Sequence, residues 1–323
     1  MPDSLRKAGF TVADARAMGV GRGRLDNANL DRPFYGVRVA PLSEAEQARL
    51  ATMTELEHAS ERLRNRDLSY AARARQRQAF GAVSAARILG LPLPLHFAQD
   101  ERVHLIVPQG FSSSSPRGTT TRIVPQHAWR TFEFDGLRLP SPELIFCLLA
   151  RELDVMDLLV LADALVTTSR WYPGRRWWGN LSTPEQLSTA ALAWSPGTGA
   201  SKLREVLPLI RLTVESPYET TMRFHLEQSG YPMLAVQHVL YGPDGRKIAR
   251  GDCADVEARI LYDYDGDGHR TSRSQWQKDV RRARRVAALD WHPERLVLAD
   301  LWPDPSAFVT HAHALRTRRV TER

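Results

Sequence analysis

Cysteine is nearly absent: the 323 residues contain two, Cys147 and Cys253, both in apolar stretches. Two buried thiols exclude a disulfide framework and fit a reducing, cytoplasmic compartment. Long hydrophobic runs are missing as well. The most apolar stretch, 144–166, is interrupted by Arg151, Glu152, Asp154, Asp157 and Asp163, which excludes a membrane span there. The first residues carry no apolar segment of the secretory type, so a soluble protein with no membrane partner is expected. Lysine is scarce too. Only four of the 44 basic residues are lysine, and against 37 acidic residues the net charge is +7. Arginine in this excess suits bidentate contacts to phosphate or guanine, and GC-rich coding produces the same bias, so the charge admits a polyanionic partner without selecting one. No internal repeat or low-complexity tract is present, and no small-molecule organic cofactor is expected.

What is there reads as an α/β chain of the α+β multidomain kind, with ordinary hydrophobic (43%) and charged (25%) content and length for two or three cores. In residues 1–42, Thr11 and Asp14 form a capping pair opening a helix to Met18. Gly19 turns the chain, a second helix is predicted over Arg22–Leu30 with Arg22 and Arg24 as nucleic-acid contacts, and a strand follows at 32–39. That order is the order of a winged helix-turn-helix, or equally of a small helical cap. Residues 43–170 form a central α/β unit: a helix over Glu44–Leu56, a polar, solvated helix or loop over Glu57–Gln78, a compact helix ending at Gly90, strands near 103–108 and 122–124, and apolar helices from Ser141 and Val155. Residues 171–213 read as a helical linker. Its run Trp171–Gly179 holds three tryptophans and two arginines, a composition that serves as a hydrophobic plug or stacks on bases.

Residues 214–323 carry the chemistry. Ser216 and Pro217 open a helix with Glu219 at the third position, where it can close a capping box or face a site. A hairpin at 236–254 turns at Gly242–Gly245, and a third strand runs over Ala258–Asp265. Under a period of two, Ala258, Ile260, Tyr262 and Tyr264 point one way and Leu261, Asp263 and Asp265 the other. Asp252 on the adjacent strand comes within reach of Asp263, since strands pack about 4.8 Å apart. Acids are not buried side by side without something positive between them. A divalent cation, Mg²⁺ or Mn²⁺, is the economical candidate, with Asp252 and Asp263 as its ligands. Asp265 would assist, Glu219 would position water and His269 would pass a proton. The run Asp265–Gly268 reads equally as a turn or a chance fragment of a calcium loop. Its EF-hand spacing is incomplete, because no glutamate stands at the twelfth position, where Gln275 or Trp276 falls. Strand-end acids and a turn histidine solvated at the surface are the plain alternative. Residues 270–295 then hold eight basic residues against three acids. Arg273, and Lys278, Arg281, Arg282 and Arg285 on a helix over Gln275–Leu289, would seat a phosphate backbone, unless that helix is simply solvated. A last strand over Arg295–Leu298 completes the order α-β-β-β-α-β.

With these residues in place the chain resembles an arrangement known from actinobacteria. Phe34–Arg38, Ser84–Leu91, Val103–Pro108 and Leu139–Pro142 are similar to AbiEi-type antitoxins of abortive-infection systems. Glu215–Glu219, Arg250–Asp252 and Asp263–His269 are similar to very-short-patch-repair (Vsr) endonuclease-like domains. The resemblance implies a restriction-endonuclease-like PD-(D/E)xK fold, Mg²⁺ use, and Asp252, Asp263, Asp265 and His269 as site residues. Two positions depart from the pattern: Asp263 stands where glutamate is usual, and Asp265 where the lysine is expected. The expectation is therefore a metal-dependent DNA endonuclease with a DNA-binding N-terminal module. The alternative is a non-catalytic regulator or antitoxin with a degenerate nuclease domain, for which a cognate toxin is the implied partner; an RNA-processing nuclease is the remaining reading.

Overall fold

The computed structural model describes residues 9–195, 197–266 and 273–322, with the side chains of 273–276 outside that description. The chain is mixed α and β with several small sheets. It divides into two compact units, residues 1–161 with 174–177 and 181–208, and residues 162–173 with 178–180 and 209–323.

In the first unit a two-residue strand β1 (Phe10–Thr11) leads into α1 (Val12–Ala17) and α2 (Arg22–Leu25), and β1 pairs antiparallel with β2 (Val37–Arg38). The second helix is one turn long, not the two expected to Leu30. Asn27 explains the stop: its side-chain oxygen accepts from the Asn29 N–H at 2.9 Å, and that local turn competes with helix continuation. The predicted helix at 44–56 is also shorter. It ends as α3 (Glu44–Ala51), and α4 (Glu55–Tyr70) starts afresh where Thr54 and Glu57 form a capping box. Helix α4 is not simply solvated either, because it buries Leu63, Asp67 and Tyr70. Strand β3 (Ala79–Phe80), α5 (Ala82–Leu89), β4 (Val103–Pro108) and β5 (Thr119–Val124) follow, then the hairpin β6 (Thr131–Phe134) and β7 (Leu137–Pro140). The three-stranded sheet has the order β3-β4-β5, with β4 and β5 parallel. Helices α6 (Pro142–Leu149) and α7 (Val155–Val166) come next, the latter falling in both units, before α8 (Pro184–Trp194) and α9 (Ala200–Val206).

The second unit runs α10 (Pro217–Gln228), β8 (Ala235–Tyr241), β9 (Lys247–Asp255), β10 (Ile260–Tyr264), α11 (Arg273–Ala287), β11 (His292–Leu296), α12 (Leu298–Leu301) and α13 (Ser306–Thr321). Its sheet has the order β11-β10-β9-β8. The β8-β9-β10 meander is antiparallel, and the α11 crossover returns β11 parallel to β10, as a connection of that length allows. Strand alternation sorts the sheet into two apolar faces. Cys253, Ile260, Tyr262 and Leu296 join Met222, Leu226, Phe308 and Leu315 on one. Ala254 and Leu261 join Leu240 and Val286 on the other. Gly251 is required where it stands, since a Cβ there would run into the Leu261 side chain. Beneath α10, Asp163 and Arg223 are both fully buried and paired at 2.9 Å, with Thr220 Oγ1 donating to the same Asp163 oxygen at 2.8 Å. A charge removed from water persists only with such partners.

Candidate active site

The acids expected to carry chemistry lie at one end of the second unit's sheet, and each is held differently. Ser216 caps α10, its hydroxyl accepting from the Glu219 N–H at 3.2 Å. The Glu219 carboxylate does not close the box on Ser216. It reaches one residue further back and accepts from the Glu215 N–H at 2.9 Å, while Gln237 Nε2 donates to the same oxygen at 2.8 Å. Only 6% of Glu219 is exposed. Burial pushes its carboxyl up to about 8, and the charge of Asp252 pushes the same way. Asp252, on β9, accepts from the Tyr264 N–H at 2.8 Å. Burial raises Asp252 to about 6; the Tyr264 N–H pulls it down and Asp263 pushes it up. A buried and a half-buried carboxylate that resist being charged together are thus brought close by α10 and β9.

Asp263 is engaged by an arginine. Arg282, from α11, donates from both terminal nitrogens to the two Asp263 oxygens, at 2.7 and 2.9 Å, and also to the Arg250 carbonyl at 2.7 Å. Burial raises the Asp263 carboxyl and Arg282 opposes it. A guanidinium therefore supplies positive charge to Asp263, where the sequence leads one to expect a divalent cation shared with Asp252. Arg250 is turned to Glu215, with bonds of 3.0 and 2.6 Å.

Gln237 has the least ordinary backbone of the group. It sits inside β8 at φ +51°, a value unusual for a side-chain-bearing residue. The ladder pairs Val236 with Cys253 and His238 with Gly251, so Gln237 interrupts it opposite Asp252. Its Nε2 holds Glu219, and its Oε1 is buried without a hydrogen-bond partner. An unsatisfied buried amide oxygen costs free energy and calls for an explanation. Tyr218, 40% exposed, stacks on Tyr264 with ring centroids 4.5 Å apart.

The remaining expected residues fall elsewhere. Asp265 lies just past β10, its N–H donating to the Leu296 carbonyl at 2.7 Å and its carboxylate 3.9 Å from Arg295. Arg295 also pairs with Asp279 at 3.2 Å. His269 lies outside the described residues, and Arg273 is on α11 with its side chain outside them. Lys278, Arg281 and Arg285 are exposed on α11. Arg22 and Arg24 belong to the first unit, both exposed on α2, with Arg22 paired to Asp26 at 3.3 Å. Among the described residues, no group of three or more His, Cys, Asp or Glu side chains is placed to hold a metal ion. A cavity of about 460 Å³ in the first unit is lined by His96, Asp100, Arg102 and Glu152, but Arg102 pairs with Asp100 at 2.9 Å and Glu152 with Arg122 at 2.5 Å. Sequence reasoning missed Gln237 and Arg282's clasp. A left-handed residue within a strand leaves no pattern, and which of several α11 arginines faces a carboxylate depends on packing.

Comparison with family models, curated proteins and solved structures finds no match for this chain.

Proposed function

We propose that the chain is a Mg²⁺- or Mn²⁺-dependent endonuclease acting on DNA, with its site on the second unit around Glu219 and Asp252. One observation carries this: a buried and a half-buried carboxylate from different elements, each disfavoured as an anion, stand with the unpartnered Gln237 oxygen, and among the described residues no arginine is bonded to either of them. Hard divalent cations take carboxylate and amide oxygens, so these residues fit one. Asp252 and Glu219 would hold the ion and Gln237 Oε1 would supply a neutral ligand. Such an ion neutralises a phosphoryl oxygen and makes bound water acidic. Gln237 Nε2 fixes the Glu219 rotamer. Lys278, Arg281 and Arg285 give α11 an exposed cationic face suited to the phosphate backbone. His269 is the expected proton carrier. The element order α-β-β-β-α-β with a parallel crossover is compatible with a restriction-endonuclease-like domain, which agrees with the Vsr-like resemblance. We place the protein in the cytoplasm; no helix among the described residues is long and apolar enough to cross a membrane.

A supercoiled-plasmid nicking assay in Mg²⁺ tests the proposal. Wild type should nick and Asp252→Ala should lose at least about a hundredfold in rate, the scale of one lost electrostatic contribution to the transition state. Equal rates would remove the catalytic role of this site.

A second reading is favoured by the Arg282 clasp, which occupies both oxygens of Asp263. If that pair is permanent, the domain is a degenerate nuclease within a DNA-binding regulator or antitoxin, and a cognate toxin is its partner. Operator-specific binding lost on Arg22→Ala or Arg24→Ala, together with no nicking, would favour this version.

A further inference from the structure

We propose that Arg282 is a releasable latch: in the nucleic-acid-free chain it occupies Asp263 and keeps that carboxylate from a divalent cation, and phosphate bound along α11 draws it away. The proposal rests on Glu219 and Asp252 being a cation site. Three observations build it.

First, the clasp uses the planar fork of arginine in full. Both Asp263 oxygens accept from Arg282 at 2.7 and 2.9 Å, a bidentate geometry that lysine cannot reproduce. Each Asp263 oxygen so engaged keeps a lone pair, but the guanidinium charge held against it repels a second cation. Second, the clasp is neither sealed nor remote. The side chains of Arg282 and Asp263 retain 20% and 15% exposure, so water and a phosphate oxygen can compete for the guanidinium. Asp263 follows Tyr262, the ladder partner of Cys253 beside Asp252, and the next N–H, of Tyr264, donates to Asp252 at 2.8 Å, so Asp263 borders the pair proposed to hold the ion. Third, Arg282 lies on the helix that presents Lys278, Arg281 and Arg285 to solvent. Arg282 is four residues from Lys278 and three from Arg285, spacings that make neighbours on a helix surface, so a nucleic-acid backbone attracted to those cations arrives beside it. Arginine prefers phosphate and carboxylate by the same fork, so a phosphate oxygen can replace Asp263 as its partner.

The consequence is a coupling. Nucleic acid frees Asp263, and Asp263 then joins Asp252 and Glu219 around the cation. By linkage, the cation must raise nucleic-acid affinity by the factor by which nucleic acid raises cation affinity. Metal would be retained when substrate is bound and held weakly otherwise.

The test is Mn²⁺ affinity of the full-length protein, read from the free-Mn²⁺ EPR signal with no nucleic acid present. Arg282→Gln should bind Mn²⁺ at least about tenfold more tightly than wild type, about 1.4 kcal/mol. Adding Asp263→Asn to that variant should erase the gain. A phosphorothioate duplex, with its own Mn²⁺ uptake subtracted, should tighten binding in wild type and much less in Arg282→Gln. Should Arg282→Gln fail to fold, Arg282→Lys decides, since it keeps the charge and loses the fork; it should show a partial gain. Unchanged Mn²⁺ affinity in whichever variant folds overturns the latch, as does a gain that survives Asp263→Asn. The nicking assay separates the two claims. Nicking through Asp252 with unchanged Mn²⁺ affinity sinks only the latch, whereas a gain through Asp263 without nicking sinks only the hydrolysis. Loss of all Mn²⁺ binding in a folded Arg282→Gln sinks the latch and leaves the nicking result to judge the site.

Discussion

Glu219 and Asp252 hold their protons more tightly than free carboxylates do, and that has a sign. Ordinary values of 4.5 and 3.8 rise to about 8 and about 6, chiefly by burial. An acid whose folded value is raised stabilises the fold below its unfolded value and loses that stabilisation as pH climbs through the folded value. Metal-free protein should therefore lose stability between about pH 4 and about pH 8. Asp67 in the first unit, raised to about 7 by burial, adds in the same direction. The contribution of the site is isolated by Glu219→Gln, which cannot ionise. The urea midpoint should fall less with pH in that variant than in wild type, and Mg²⁺ near pH 8 should restore part of the wild-type loss. Parallel pH profiles would mean that Glu219 is not strained as an anion. The buried pair of Asp163 and Arg223 makes a second residue-scale prediction. Arg223→Met leaves Asp163 fully buried without its cation, which should cost about 3–5 kcal/mol in chemical denaturation. Adding Asp163→Leu should recover most of it; a single variant within about 1 kcal/mol of wild type would contradict the pairing.

Elements in the second unit were largely legible because period-two alternation and turn chemistry agree there. Ala258, Ile260 and Tyr262 were assigned one face of a strand and Leu261 the other, and the two apolar clusters divide them in that way. Ser216 and Pro217 marked the start of α10, where the helix begins. Illegible features are those decided by tertiary contact. Asp163 looked like an interruption of an apolar helix, and its partner Arg223 lies 60 residues away. The Glu219 carboxylate accepts from the Glu215 N–H instead of closing a capping box, and Gln237 donates to the same oxygen from β8. Asp252 and Asp263 were expected to share one cation, yet Arg282 supplies the positive charge to Asp263. An acid pattern on strands signals the need for a cation without saying which one.

At the scale of the molecule, charge is the property that should govern association. The net charge of +7 is carried almost wholly by arginine, and the exposed cations of α11 are its share beside the proposed site. Each of Lys278→Ala, Arg281→Ala and Arg285→Ala should weaken DNA binding about equally across sequences. Each should also lower the salt slope by about 0.9, the value for one phosphate contact. Unchanged slopes would remove α11 from the interface. Arg22 and Arg24, in the other unit, give an independent surface, and their removal should act on sequence preference if the N-terminal module reads DNA.

The central claim, a divalent cation held by Glu219 and Asp252, is tested most directly by anomalous diffraction from crystals soaked in millimolar Mn²⁺. A peak is predicted in contact with carboxylate oxygens of both residues, at about 2.0–2.2 Å as hard-cation coordination requires, with Gln237 Oε1 turned toward it. A crystal saturated with Mn²⁺ that shows no density between those two carboxylates would contradict the account.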